Sequence, residues 1–277
     1  MVLANPPIWA ASVPGFSSQP QRLWYTQPAG QWLEALPLGN GYMGAMVFGK
    51  VKHERIALNE SSFWSGKPHD YSNPEALTYF PRIRELVVAG KFQEAEKMAD
   101  AHFFGLPAAQ QAFEPLGDLW LDFDGPEKSE DYQRELDLET GIAKVTYRIG
   151  QQTWHREMFM SYPDHVLVIH LRSDQPGKIN VTARTSSEFL DRVVAQGHEL
   201  VMDGVWRAPA EKDWLIAPVE GRGLHFQTRL AAQTKGGLVT GKGGRLSIQG
   251  ADEVTFLLTA ATSYKNYSDI GGDPEVF

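Results

Sequence analysis

From Gly117 onward apolar and polar residues alternate with a period of two. Leu119, Leu121 and Phe123 alternate with Asp118, Trp120 and Asp122, and Ala143, Val145, Tyr147 and Ile149 with Lys144, Thr146 and Arg148. That period predicts half-buried strands, and Val166–Leu171 and Val254–Thr259 read as further apolar strands. Turn signals recur between them, among them Thr140-Gly141, Gly150-Gln151, Pro176-Gly177, Gly236-Gly237 and Gly243-Gly244. The connections are too short for parallel crossovers, so the pattern predicts an antiparallel sandwich or barrel. Upstream, Met43–Phe48 and His53–Leu58 read as a hairpin turning through Gly49-Lys50-Val51-Lys52. Between these β-rich zones the period changes. Ser72-Asn73-Pro74-Glu75 is a helix start, Ile83, Leu86 and Val87 share a helical face, and Gly90 is a natural stop. Pro81 is expected to break that helix or begin a new one, and Phe92, Ala95, Met98 and Ala99 mark a second short helix. Ile83, Leu86, Val87, Phe92 and Met98 are expected to pack on a sheet or on each other. The stretch 186–223 looks least regular and is expected to hold long surface loops. No internal repeat is evident.

Composition narrows the functional classes. With 277 residues and 42% hydrophobic content the chain can bury a sizeable core. Its net charge of −8 repels phosphate backbones and disfavours a general nucleic-acid role. The absence of cysteine removes disulfides, thiolate catalysis and zinc-thiolate sites, without fixing the compartment. No apolar run reaches the roughly 18 residues of a membrane span. Eight Trp, nine Tyr and fourteen Phe supply a core or a surface for stacking on sugar rings. Residues 1–22 read as an irregular lead-in. No positive charge precedes Arg22, and Pro6, Pro7 and Pro14 interrupt the segment, so it is not a clear signal peptide.

Candidate chemistry is sparse. Gly39-Asn40-Gly41-Tyr42-Met43-Gly44 matches the dinucleotide pattern G-x-G-x-x-G, but a strand rather than a helix follows it. A pyrophosphate needs the helix N-terminus there, so the glycines are read as a tight turn into a strand. No G-x-S-x-G elbow and no H-E-x-x-H is present, and no metal site or cofactor is expected. His165 and His170 flank a strand at a spacing that separates their faces. Asp118, Asp122 and Asp124 lie on one strand face that reads as solvated. Glu60 is more suggestive, just past a strand in Leu58-Asn59-Glu60-Ser61-Ser62-Phe63-Trp64-Ser65-Gly66. It is either a substrate-proximal acid or, as favoured here, an acid that satisfies N–H groups of its own loop.

Several segments together resemble the N-terminal domain of bacterial alpha-L-fucosidases of glycoside hydrolase family 95. They are Trp32 to Gly49 (WLEALPLGNGYMGAMVFG), Glu54 to Pro68 (ERIALNESSFWSGKP), Glu114 to Leu119 (EPLGDL), His155-Arg156-Glu157 and Ala260 to Tyr264 (AATSY). The resemblance runs over about residues 23–275. It implies a mainly β fold, a large antiparallel β-sandwich of super-sandwich type at 23–264, with a small helical insertion near 72–104. It implies that 265–277 begin a linker to a helical (α/α)₆ catalytic domain, which is the expected partner together with a fucosylated glycan. It also implies inverting hydrolysis of alpha-L-fucosides, possibly alpha-L-galactosides, by the full-length enzyme, which is periplasmic or secreted in many members. The family's catalytic residues lie in the helical domain, so none is assigned here. Asn40, Asn59, Glu60 and Trp64 are the candidates for the substrate or domain boundary, with Trp64 either stacked on a sugar or filling the core or domain interface. The alternatives are a free-standing carbohydrate-binding sandwich and an interaction protein with no sugar ligand.

Overall fold

The computed structural model describes residues 21–106, 108, 110–207 and 222–276. The lead-in expected at 1–22 therefore falls almost wholly outside the described residues, as does 208–221. Two antiparallel sheets face each other. The nine-stranded sheet runs β1 (Arg22–Tyr25), β6 (Glu130–Asp137), β7 (Ile142–Ile149), β8 (Gln152–Ser161), β9 (Val166–Ser173), β16 (Glu253–Thr262), β13 (Arg222–Lys235), β12 (Glu199–Arg207) and β11 (Leu190–Gln196). The seven-stranded sheet runs β14 (Leu238–Lys242), β15 (Arg245–Ala251), β10 (Ile179–Ser186), β5 (Gly117–Phe123), β4 (His53–Glu60), β3 (Met43–Val47) and β2 (Leu36–Gly39). The alternation left a sandwich or a barrel open, and the observed fold is the sandwich that the family resemblance implied.

The pleat explains where the core sits. Leu119 and Leu121 of β5, Ile56 and Leu58 of β4, Val145 and Tyr147 of β7, and Phe256 and Leu258 of β16 are buried in one cluster between the sheets. Alternate residues point outward. On the outer face of the seven-stranded sheet Asp118 pairs with Arg55 at 2.7 Å, and Asp122 pairs with Arg184 and His53, both at 2.8 Å. Asp118 and Asp122 are therefore mostly covered ion-pair partners rather than freely solvated acids, because both guanidinium groups lean over Trp120 between them. Asp124 alone of the three is exposed.

Two elements differ from the sequence expectation. Residues 190–207, read as irregular, form the hairpin β11–β12. Its inner strand β12 does alternate, with Leu200 and Met202 buried, but β11 is a largely exposed edge whose Val193 and Ala195 are only partly covered against the core. Pro81 lies inside α1 (Ala76–Val88) and does not end it. The carbonyl it leaves unpaired belongs to Leu77, which is 84% exposed, where water can take the bond. After α1 the chain stops at Gly90, with the Lys91 N–H bonded to the Leu86 carbonyl at 2.9 Å, and α2 follows (Phe92–His102). The two helices meet through a Tyr79–His102 ring stack at 3.9 Å and bury Leu86 and Ala95. Ile83 and Met98 are partly covered, but Val87 and Phe92 are exposed, so the expected packing holds for only part of that face. Leu77, Phe80 and Val88 are exposed too, so the helical pair keeps a wet apolar side. His170 also lies within β9, not beyond it, and His165 stands just before it with φ of 51°.

Candidate functional site

Antiparallel order sends the long connections to one end of the sandwich. The turn at 40–42, the chain from 61 to 75, residues 103–106 and 110–116, the turn at 162–165 and the segment after Thr262 all gather there. Phe63 anchors this end. It is fully buried, with edge-on contacts to Phe226 at 4.8 Å and Phe189 at 5.4 Å.

The turn Gly39–Gly44 enters β3 as expected. Gly41 has φ of 87°, a region open to glycine at little cost. Asn40 is buried and acts as a clip. Its Oδ1 accepts from the N–H of Tyr42 (3.0 Å) and Met43 (2.8 Å), and its Nδ2 donates to the Ser161 carbonyl of the opposite sheet at 2.8 Å. Its side-chain oxygen and nitrogen are both bonded within the fold, so it joins the two sheets.

Asn59 and Glu60 are neighbours in sequence, but the pleat sends them to opposite faces. Glu60 points between the sheets. It accepts from the Ser62 N–H (2.9 Å) and the Ser62 hydroxyl (2.7 Å), and the Ser62 Oγ also meets Thr262 Oγ1 of the other sheet at 2.5 Å. That is the loop-satisfying role favoured from sequence. Burial pushes the Glu60 carboxyl above the usual range, against the pull of the Ser62 and Ser61 bonds. A buried acid with a raised folded pKa stabilises the fold most at low pH, and that contribution is lost as pH rises through the raised value. Glu60→Gln should therefore melt higher relative to the wild type at pH 7 than at pH 4. Calorimetry at the two pH values checks this, and an equal difference at both would contradict it.

Trp64 is 44% exposed, so it is not a core residue. Its Nε1 donates to the Ser61 carbonyl at 3.1 Å, and its ring rests on Phe113 at 5.3 Å. It forms one wall of an open groove of about 410 Å³, shared with Tyr71, Tyr264 and Tyr267. The polar side of the groove is tied down. The Ser65 hydroxyl donates to Gln111 Oε1 at 3.0 Å, and Gln111 Nε2 donates to the Tyr71 hydroxyl at 3.1 Å. Ser62 lies on the floor, so the Glu60 network directly underlies the groove. Nearby, Glu114 accepts a hydrogen bond from Trp206 Nε1 at 3.2 Å, and burial and then the Glu188 charge hold its carboxyl above the usual range. Sequence reading found Trp64 and missed Tyr71, Tyr264, Tyr267 and Gln111. Tyr264 closes the AATSY segment, but nothing in its neighbours shows that it faces a tryptophan 200 residues away.

The segment after β16 also belongs to this end. The Gly272 N–H bonds the Ser263 carbonyl at 2.8 Å, and Ile270 packs against the core. Among the described residues no group of His, Asp and Glu side chains could hold a metal ion, and no helix is long and apolar enough to cross a membrane.

Fold and groove together define a two-sheet antiparallel β-sandwich with an aromatic cleft at its loop end. The chain belongs to the family of N-terminal domains of glycosyl hydrolase family 65, whose model matches residues 23–267. Sequence resemblance had suggested family 95, and the matched family carries the number 65. What is shown is thus a glycoside hydrolase N-terminal domain. The chain is 31% identical over 262 residues to Alpha-L-fucosidase 2 of Arabidopsis thaliana, covering 89% of this chain and 31% of that protein. It is 27% identical over 242 residues to Probable alpha-fucosidase A of Aspergillus oryzae, covering 83% of this chain and 31% of that protein. The chain therefore spans about a third of the length of these relatives.

Proposed function

We propose that this chain is the N-terminal domain of an alpha-L-fucosidase of the family 95 type, which in its full-length form hydrolyses alpha-L-fucosides with inversion. The sandwich supplies no catalytic residue. It holds the loop end against a helical catalytic domain and offers the groove at Trp64 to a fucosylated glycan. Relatives named as fucosidases that align over most of this chain support the reading.

The observation that carries it is the exposed Trp64 beside Tyr264 and Tyr267 in a groove with a fixed polar side. Aromatic faces suit the apolar faces of sugars, and a 6-deoxyhexose presents a methyl group as well. Asn40 and Glu60 act one layer below, by fixing the loops. The same groove would serve a free-standing carbohydrate-binding module, and affinity in the chain alone separates the two readings. Titration of the ¹⁵N-labelled chain with methyl alpha-L-fucopyranoside should shift the Trp64 indole N–H signal weakly, without saturation. Tight saturable binding would favour the free-standing module, and an unmoved Trp64 signal would remove the groove from sugar recognition.

A further inference from the structure

Asn59 has no part in the groove, and its surroundings point elsewhere. It projects from the outer face of the seven-stranded sheet into a depression of about 370 Å³. Trp32, Arg55, Asp118, Ser187 and Glu188 also line it. We infer that this depression is a second saccharide site, for a neutral pyranose, separate from the groove at Trp64.

Small residues create the space. On β4 the outward side chain between Arg55 and Asn59 is only Ala57, and its cross-strand neighbour Asp118 is preceded by Gly117. Gly117 has φ of 129°, and a Cβ there would lie 2.0 Å from the Ser186 carbonyl oxygen, so only glycine fits. The wall is also built. Segment 29–35 crosses the outer face, with the Ala29 N–H bonded to the Phe48 carbonyl at 2.9 Å. Its 3-10 turn (Trp32–Glu34) is clamped by Glu34, whose carboxylate accepts from the N–H of Gly30 (2.6 Å) and Gln31 (3.2 Å). Those bonds hold the Glu34 carboxyl below the usual range. From the other sheet Arg134 Nη1 donates to the Glu34 carbonyl at 2.8 Å. A rigidly held turn thus keeps an indole 48% exposed at the rim of a polar pocket.

The polar groups suit hydroxyls. Arg55 Nε donates to Asp118 at 2.7 Å while its guanidinium lies 5.0 Å from the Phe48 ring and 5.7 Å from that of Trp120. The pair offers a fixed donor beside a fixed acceptor, as vicinal hydroxyls require. Among the described residues the Asn59 amide makes one long bond of 3.4 Å, to the Glu114 carbonyl, and keeps capacity for a ligand. Two carboxylates against one guanidinium leave the pocket net negative, which turns away phosphates and uronates.

The test uses the indole N–H signal of Trp32 in the full chain. Methyl beta-D-galactopyranoside or methyl alpha-L-fucopyranoside should move it, whereas a methyl glucuronoside should not. Trp32→Ala should weaken the neutral ligand about tenfold at the Asn59 and Asp118 signals. Asn59→Ala should weaken it at the Trp32 signal, and Trp64→Ala should leave it unchanged. The inference fails if no neutral pyranoside moves Trp32, if the uronoside moves it equally, or if Trp64→Ala removes the response. Ligand binding in the groove is read separately, at the Trp64 signal of the unsubstituted chain.

Discussion

Arg156→Ala should destabilise the fold by about 3–5 kcal/mol, the usual loss when one member of a buried ion pair is removed. Arg156 and Glu54 lie 2.9 Å apart, with side chains 1% and 0% exposed. The guanidinium also donates to the carbonyls of Lys50 and Val51 and to the Tyr147 hydroxyl, each at 2.6 Å, and it lies 4.0 Å from the Phe123 ring centroid. Glu54 in turn accepts from the Gly49 N–H at 2.7 Å. One side chain of β8 thereby satisfies the turn between β3 and β4 in the opposite sheet. Truncating it strands a buried carboxylate and two buried carbonyls together. Replacing the pair as Glu54→Leu with Arg156→Met should recover only part of the loss, because the desolvation of both charges disappears while the Lys50 and Val51 carbonyls stay unpaired. Urea denaturation measures all three proteins. A single-variant loss below about 1 kcal/mol would show that water reaches the pair.

Several strands with one buried face were legible in the sequence, although β12, which also buries Leu200 and Met202, was not. β5, β7 and β16 alternate because one side meets the core, and the β3–β4 hairpin and the turn at Gly41 are marked by local chemistry. β11 was not legible, since only Val193 and Ala195 of this edge strand turn toward the core and the rest is exposed. Pro81 misled because its missing N–H matters little where the orphaned carbonyl faces water. For the candidate residues, local and distant information separate cleanly. The pleat alone places Asn59 and Glu60 on opposite faces, and alternation through Ile56 and Leu58 already implies it. Glu60 meeting Thr262 through Ser62, and Trp64 sharing a groove with Tyr264 and Tyr267, are contacts across about 200 residues. No period in one chain encodes which distant loop arrives, so the groove became visible only with both sheets in place. Family resemblance narrowed the sequence to the right kind of domain, while the matched family number differs from the one first suggested.

The second large effect concerns activity. A chimera in which residues 23–267 replace the matching N-terminal part of the Arabidopsis alpha-L-fucosidase 2 should hydrolyse an aryl alpha-L-fucoside, whereas this chain alone should not. Trp64→Ala in that chimera should lower kcat/KM about 10²-fold, as expected when a contact that positions the substrate is lost. Leu33→Ala, at a side chain 85% exposed away from the groove, should leave turnover unchanged. Fucoside turnover by these proteins is therefore the most direct measurement. The assignment predicts turnover in the chimera that depends on Trp64. A folded chimera without turnover, turnover indifferent to Trp64, or hydrolysis by this chain alone that a substitution within it abolishes would contradict it.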